Sequence, residues 1–588
     1  TALLRLVHFL FLAACVYTAF DHIFSPRKLV STQPIGVGAP FLSFYYLGSL
    51  SAGYFLGYLL LLHGKEDARS WHKPTAFSKM LNNCVYYGLI IAAFVSIGAL
   101  SWRNIGTVWS HNKNNITDIY SKWLAEKIPA GNAILITDGD MSAQRQLLKA
   151  QLAKTRQDNL PLMIDTHRLA SPKYHQQLTK KNSLWPTLSE EVASSIRVDE
   201  FLILEKLHEA IDKASIYYTH PSFGYFSEQF YAQPQEGIFQ LFKYTLGESE
   251  LNKPKFTKDK AEKEFKLAAS AKKIFELFTE QSGNLQGSNF QDSIIIMGWL
   301  SRNLNAYGVE FSRNKQNNEA EMFFNTANEL FKGSRNGNLI AQANLKQLYA
   351  LQGKPSEELS TSEDLDKFMD NFHKNLEEYI GGDNQQLQSQ EIDRILKTYG
   401  PVDESKSCLL LGQFFANREQ IRQAYHELVR STELATKDPE PLLFIANMFV
   451  TYDMPEKTLT FINQLKKMNE KNPFNLEQQV QLIKIRADAI LLQSGLSTAE
   501  KYLTNQLQPH KQTLPGLQAM LSFYMNNGLL DKALPVLNIW IKEHPDDIDA
   551  RVGKGLLLAQ LKQFDEAVTT LESVLGDASF NIKSDIQS

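Results

Sequence analysis

Three alanines near the end of the chain, Ala499, Ala533 and Ala567, stand 34 residues apart. This period constrains the fold more than any other feature, because a unit so short cannot bury a core alone and has to stack on copies of itself. The residues around the alanines keep step. The stretch "LPGLQAMLSFYMNNGLLDKALPVLNIWIKEHP" carries Tyr524, Ala533, Leu537 and Pro545, and "IDARVGKGLLLAQLKQFDEAVTTLESVL" carries Gly555, Leu558, Ala567 and Leu571. Two further units stand apart from this run, one with Gly308, Phe311, Ala320, Phe324 and Ala327, the other with Leu411, Gly412, Phe415, Ala424 and Leu428. Gly or Ala where two helices cross lets their backbones approach, and large apolar residues then fill the layer to the next unit.

A two-helix unit of 34 residues is the tetratricopeptide repeat. Five stretches match it well and about three more match loosely, including "PLLFIANMFVTYDMPEKTLTFINQLKKM". The reading is a helical, repeat-like block over 251–355 and an α-solenoid over 365–588. A Lys-rich linker, "NKPKFTKDKAEKE", precedes them, and "KPSEELSTSEDLD" and "GGDNQQLQSQ" read as linkers within them. Such arrays present a concave surface to a protein or peptide partner; a rigid spacer is the other use. His373, His426, His510 and His544 are scattered and receive no ligand role.

At 588 residues the chain is too long for one ordinary domain. Its opposite end is apolar. Three runs, 6–24, 41–62 and 84–102, read as membrane spans in a region covering 1–105, the second and third free of charge and each about the ~20 residues that cross a bilayer core. The loop between them holds Lys65, Arg69, Lys73 and Lys79, against Arg27 and Lys28 in the loop before, so the richer loop is expected in the cytoplasm. Everything after Trp102 then faces outward, into the periplasm if the membrane is the inner membrane of a bacterium. Gly48, Ala52, Gly53 and Gly57 form a small-residue face suited to close helix packing in lipid. The first residue is Thr and no signal peptide is visible, so the chain is expected to be cut from something longer.

Between these ends, over 116–244, strand-like runs alternate with helical ones, which predicts a small α/β domain with a parallel sheet. "AILIT", "LPLMID" and "SIYYTH" are the expected strands, and "EGIFQLFKY" a further edge strand. The expected strands end in similar chemistry: Asp138 and Asp140, then Asp165 and His167, then His220. Such ends lie on one edge of a parallel sheet, where open α/β folds bind ligands, and these side chains suit a divalent cation or sugar hydroxyls. The same residues also cap helices and close turns. No phosphate-binding glycine loop and no nucleophile elbow occurs, so no cofactor is evident. A formal charge of −3 gives no footprint for nucleic acid, and three cysteines give neither a disulfide framework nor a metal-type spacing.

The order of "SPRKL", "PFLSFYYLGSLSAGYFLGYLLLL", "AILITDGD", "TRQDNLPLMIDTHRLASPKYHQQL" and "YAQPQEGIFQLFKY" resembles the C-terminal part of a bacterial polytopic membrane family related to the GT-C protein O-mannosyltransferases, some of whose members end in tetratricopeptide repeats. The resemblance covers roughly residues 20 to 245. It implies a lipid-linked sugar donor and a catalytic acid in an early external loop, which this chain does not contain, so no catalytic residue carries over. Family members often read "NGD-N-D" after the first soluble strand; here "DGDMSA" keeps Asp138, Gly139 and Asp140 but loses the following acid. Two functions are compatible: the non-catalytic, partner-binding portion of a GT-C-like envelope glycosyltransferase, or a stand-alone membrane-anchored scaffold for assembling envelope proteins.

Overall fold

The computed structural model describes residues 2–19, 42–64, 75–113, 116–128, 132–137, 142–155, 160–221, 226–235, 238–244, 288–332, 337–354 and 363–575. The chain divides into two compact units, Thr1–Asn115 and Ile116–Ser588.

The first unit is built from α1 (Ala2–Ala19), α2 (Leu42–Gly64) and α3 (Ala76–Lys113), with α2 packed against both neighbours. The His8 ring stacks on Tyr58 at 4.4 Å, Phe11 stacks on Phe55 at 5.6 Å, and His63 Nδ1 lies 3.0 Å from Asn82 Oδ1. Leu10, Tyr54, Phe94 and Ile97 point outward instead of into a core. Two stretches, Tyr46–Gly64 and Ala76–Trp102, are long and apolar enough to cross a bilayer; the apolar part of α1, Leu3–Tyr17, is shorter. A side chain added at Gly53 or Gly57 would meet nothing within 4 Å, so this part of the small-residue face makes no close helix contact among the described residues of the unit.

The second unit begins with α4 (Ile116–Lys127), β1 (Ala133–Thr137), α5 (Ser142–Thr155) and β2 (Leu162–Asp165). It continues through α6 (Pro172–Lys181), α7 (Glu190–Ala193), α8 (Glu200–Ile211), β3 (Ser215–Tyr218), α9 (Phe226–Gln229), β4 (Phe230–Gln235) and β5 (Ile238–Lys243). The sheet order is β2-β1-β3-β5-β4. β1 pairs in parallel with β2 and β3, as the alternation of strand and helix requires, and it is buried along its whole length. The sheet is nevertheless mixed, not parallel. β5 runs antiparallel to both β3 and β4, so the run expected at the edge lies inside the sheet, and β4 is the edge. Pro234 suits that place, since an edge strand can spare a backbone donor.

The helical part comprises α10 (Ser288–Arg313), α11 (Asn317–Lys332), α12 (Leu339–Gln352), α13 (Glu363–Gly381), α14 (Gln385–Tyr399), α15 (Ser405–Asn417), α16 (Ile421–Leu434), α17 (Glu440–Thr451), α18 (Pro455–Lys471), α19 (Leu476–Ser494), α20 (Leu496–Leu507), α21 (Leu514–Asn526), α22 (Leu530–Glu543), α23 (Ile548–Gln560) and α24 (Phe564–Leu575). Apart from α12, successive helices form hairpins that stack on one another in a tetratricopeptide-type solenoid. The predicted small residues sit at the crossings. A Cβ added at Gly308, Gly412 or Gly555 would lie 2.5 Å from Phe324, Leu428 or Leu571, sixteen residues on in each hairpin. Ala320, Ala327, Ala424, Ala499, Ala533 and Ala567 are buried. In the loosest repeat Thr458 takes the alanine position, and its hydroxyl donates to Ala446 O at 3.5 Å across the hairpin. Pro545 lies in the short segment between α22 and α23, where a helix has to stop.

The three expected linkers fare differently. Most of "KPSEELSTSEDLD", and all of "NKPKFTKDKAEKE", lie outside the described residues. "GGDNQQLQSQ" is not a linker: Gly382 and Asn384 take positive φ of 91° and 47°, turn the chain at once, and Gln385 already begins α14. The polar composition is that of an outward helix face, with only Gln388 turned inward.

The sheet and the first repeats are welded together. Tyr120 and Leu124 of α4, Leu135 of β1 and Phe239 of β5 share one buried cluster with Leu304 and Tyr307 of α10 and Phe323 of α11. Three buried asparagines tie the first repeats to the next. Asn305 donates to Tyr399 O and Pro401 O at 2.9 and 3.0 Å, Asn338 to Tyr399 O at 3.0 Å, and Asn344 to Asn305 Oδ1 at 2.9 Å. With the Asn344 donation to Pro401 O at 3.1 Å, they satisfy the Tyr399 carbonyl, which the end of α14 leaves without a helical donor, and the Pro401 carbonyl just beyond it.

Candidate functional site

Two of the strand-end residues, Asp165 and His220, have structural work. Asp165 Oδ1 accepts the His167 N–H at 3.2 Å, capping the short 3₁₀ turn Thr166–Arg168, and the Asp165 N–H donates to Tyr174 Oη at 3.0 Å. His167 is exposed. His220, two strands away from Asp165, turns into the interior: its Nε2 lies 3.1 Å from Tyr120 Oη and its ring stacks on Trp299 of α10 at 4.4 Å. Burial above all, and then the Arg302 charge, push the His220 pKa well below its ordinary value, which keeps the imidazole neutral between the Tyr120 hydroxyl and the Asn303 amide. Asn303 donates to Thr219 O at 3.0 Å beside it. His220 therefore fastens the end of β3 to the solenoid. Asp138 and Asp140 lie outside the described residues. Among the described residues, no three His, Cys, Asp or Glu side chains converge as a metal site would need.

A cleft of about 440 Å³ opens elsewhere, between the β4–β5 hairpin and the helices α10, α14, α15 and α16. Phe230, Tyr231 and Tyr244 come from the sheet side, and Val309, Leu396 and Phe415 from the helices. Two of its arginines are paired with acids of the protein. Arg313 makes a two-pronged contact with Glu427 at 2.8 and 2.9 Å, and Arg418 one with Asp393 at 2.9 and 3.2 Å. Burial, reinforced by the nearby Glu310 charge, raises the pKa of both Tyr231 and Tyr244, so both phenols stay protonated.

One wall of the cleft is a latch between the sheet and the solenoid. α16 opens at Gln420, whose side chain caps nothing. Glu228 of α9 supplies the cap instead: its carboxylate accepts the Arg422 N–H at 2.9 Å and the Gln423 N–H at 3.1 Å. Arg422 Nη1 donates back to Glu228 O at 2.8 Å, and its guanidinium lies over the Tyr244 ring, 4.8 Å from the centroid. Behind the latch, Arg430 clamps the buried Asp403 through Nε and Nη2, both at 2.8 Å, while Ser312 donates to the same carboxylate. Burial alone would raise the Asp403 pKa; the Arg430 and Arg313 charges outweigh it and hold the carboxyl below its usual value.

None of the cleft residues stood out in the sequence as a site. Phe415 was read as a repeat residue, and Glu228 follows a run with no motif. Only the poor capping residue before α16, a glutamine where Ser, Asp or Asn is preferred, hinted that a cap had to come from elsewhere.

No protein-family model matches the chain, and no curated protein matches it. Among solved structures it is similar to MamA 41-end from Desulfovibrio magneticus RS-1, at 13% identity and a TM-score of 0.21, covering 29% of this chain and 93% of that one. It is also similar to YrrB, described as a TPR protein with an unusual peptide-binding site, at 13% identity and a TM-score of 0.19, covering 29% and 86%. The TPR domain of P58(IPK) is 14% identical with a TM-score of 0.17, covering 52% and 98%.

Proposed function

We propose that this chain is a membrane-anchored protein-interaction module of the bacterial envelope, its solenoid outside the inner membrane and binding a protein or peptide partner. The observation that carries the reading is the stack of hairpins from α10 to α24, which offers a long, shape-defined surface on a scaffold already welded to the sheet. The membrane part is supported by the two apolar helices with outward-facing side chains, and the orientation by the lysines and arginine of the loop between them. The order of motifs over residues 20 to 245 supports a place in a GT-C-like glycosyltransferase.

Two measurements test the proposal. Alkaline phosphatase fused after Ser588 is expected to be active and a green fluorescent protein there dark; the reverse sinks the orientation. In vivo photo-crosslinking from exposed positions of α18 and α20, upstream of the cut, is expected to give one discrete adduct that disappears when residues 514–588 are deleted. A smear indistinguishable from the deleted chain would leave the solenoid without a specific partner and refute the binding role.

A further inference from the structure

The cleft against the β4–β5 hairpin is separate from the outer solenoid surface, and one of its polar groups is left with an unmet demand. Gln420 is only 2% exposed, it lines the cleft, and its Oε1 has no hydrogen-bond partner among the described residues. Leaving a buried amide oxygen unsatisfied costs stability that an apolar side chain of similar size would not cost. Gln423, one helical turn on, brings a second amide to the same wall. We propose that the cleft is a binding site for a short, uncharged segment of extended polypeptide with apolar side chains, and that Gln420 pairs with its main-chain amide.

Three observations select this ligand class. The volume of about 440 Å³ falls within the roughly 300–1,000 Å³ of sites that enclose small ligands. Arg313 engages Glu427, Arg418 engages Asp393, and Arg302 donates through Nη1 to Lys397 O at 2.7 Å, so all three guanidiniums are already engaged within the protein. Much of the remaining wall is aliphatic and aromatic: Val309, Leu396, Leu411, Phe230 and Phe415. A sugar, with hydroxyls around its whole periphery, would have to bury them against these groups unpaired. A peptide unit flanked by apolar side chains presents a donor and an acceptor to the glutamine, and hydrocarbon to everything else.

The test uses the full chain in detergent. Gln420→Leu is expected to raise the melting temperature of the ligand-free protein by about 2 °C, because it removes an unmet polar group. In saturation-transfer NMR, N-acetyl-Ala-Leu-Ala-amide should receive saturation at its methyl groups from the parent protein and lose it with Gln420→Leu. Gln423→Leu, at the same wall, should weaken the peptide signal without raising the melting temperature. A lower or unchanged melting temperature for Gln420→Leu would mean the amide is already satisfied and would overturn the proposal. So would a peptide signal that is absent from the parent or survives in Gln420→Leu, or saturation of maltose in place of the peptide.

Discussion

Two glycines on one helix separate close packing from mere helix propensity. Gly553 and Gly555 both lie in α23. A Cβ at Gly553 meets nothing within 4 Å, whereas a Cβ at Gly555 lies 2.5 Å from Leu571 Cγ and 2.6 Å from Cδ2. Replacing either by alanine gains about 1 kcal/mol of helix propensity. At Gly555 the new methyl also has to push Leu571 and its helix away, and overpacking of this kind costs roughly 1–3 kcal/mol. The propensity gain cancels between the two variants, so they should differ by about 2 kcal/mol, or roughly thirtyfold in an opening equilibrium. The hairpin of α23 and α24 ends the described solenoid, so its opening is local and readable by amide hydrogen exchange over residues 564–575. Gly553→Ala should slow exchange there and Gly555→Ala should speed it. In a Leu571→Ala background the penalty should vanish and the two substitutions should become equal. Equal exchange rates in the parent background would refute the idea that the glycine is kept for the helix crossing.

The latch makes a second prediction: Glu228→Ala strips the cap from α16, at a cost of about 2 kcal/mol from the lost cap and charge-assisted bonds, and exchange at Arg422 and Gln423 should rise about thirtyfold. Glu228→Gln, which keeps one acceptor, should show a smaller rise, and unchanged exchange in both would show that Glu228 is not the cap. The third concerns Glu404, which caps α15 by accepting the Ser407 N–H at 2.7 Å and lies 3.3 Å from His373 Nε2. Burial would raise its pKa, but the bonds from His373 and Ser407 prevail and bring it down to about 2 from 4.5. A depressed carboxyl gives stability that is present above pH 4.5 and lost as the pH falls toward about 2, on the order of 3 kcal/mol in full. Acid titration of the melting temperature should flatten in Glu404→Gln; an unchanged slope would assign the acid sensitivity elsewhere.

The solenoid was legible because its signal is local and repeated. Gly308, Gly412 and Gly555 each face a large residue sixteen positions on, so one geometric rule writes itself into the sequence three times over. The parallel half of the sheet was legible for a similar reason: "AILIT" is a buried central strand and reads as an unbroken apolar run. Of the antiparallel half, β5 was legible as a strand, though it was expected at the edge, and β4 was not. β4 carries Gln233, Pro234 and Gln235, which argue against a strand in isolation, and it is held as one by its ladder to β5 and by its place at the edge. The segment "GGDNQQLQSQ" failed in the opposite direction, since polarity marks an exposed helix face as readily as a linker.

The candidate site was hidden for a deeper reason. His220 has the residue type and the position of a ligand, yet tertiary contacts from Tyr120, a hundred residues earlier, and Trp299, some eighty residues later, make it a neutral interior joint. Glu228 has no such signature, yet it closes a helix nearly two hundred residues away. Sequence spacing records contacts within a hairpin, because both partners lie within one repeat. It records nothing of a contact between a sheet and a solenoid, whose partners are joined by fold alone. The cleft exists because those two architectures are fixed against each other at several points: the Glu228 cap, the Tyr307 hydroxyl on Ile238 O at 3.1 Å, and the Asn303 amide on Thr219 O. An occupant of the cleft would contact both walls at once. It would therefore bind more tightly the more firmly the latch is closed, and by linkage would hold the latch shut in return.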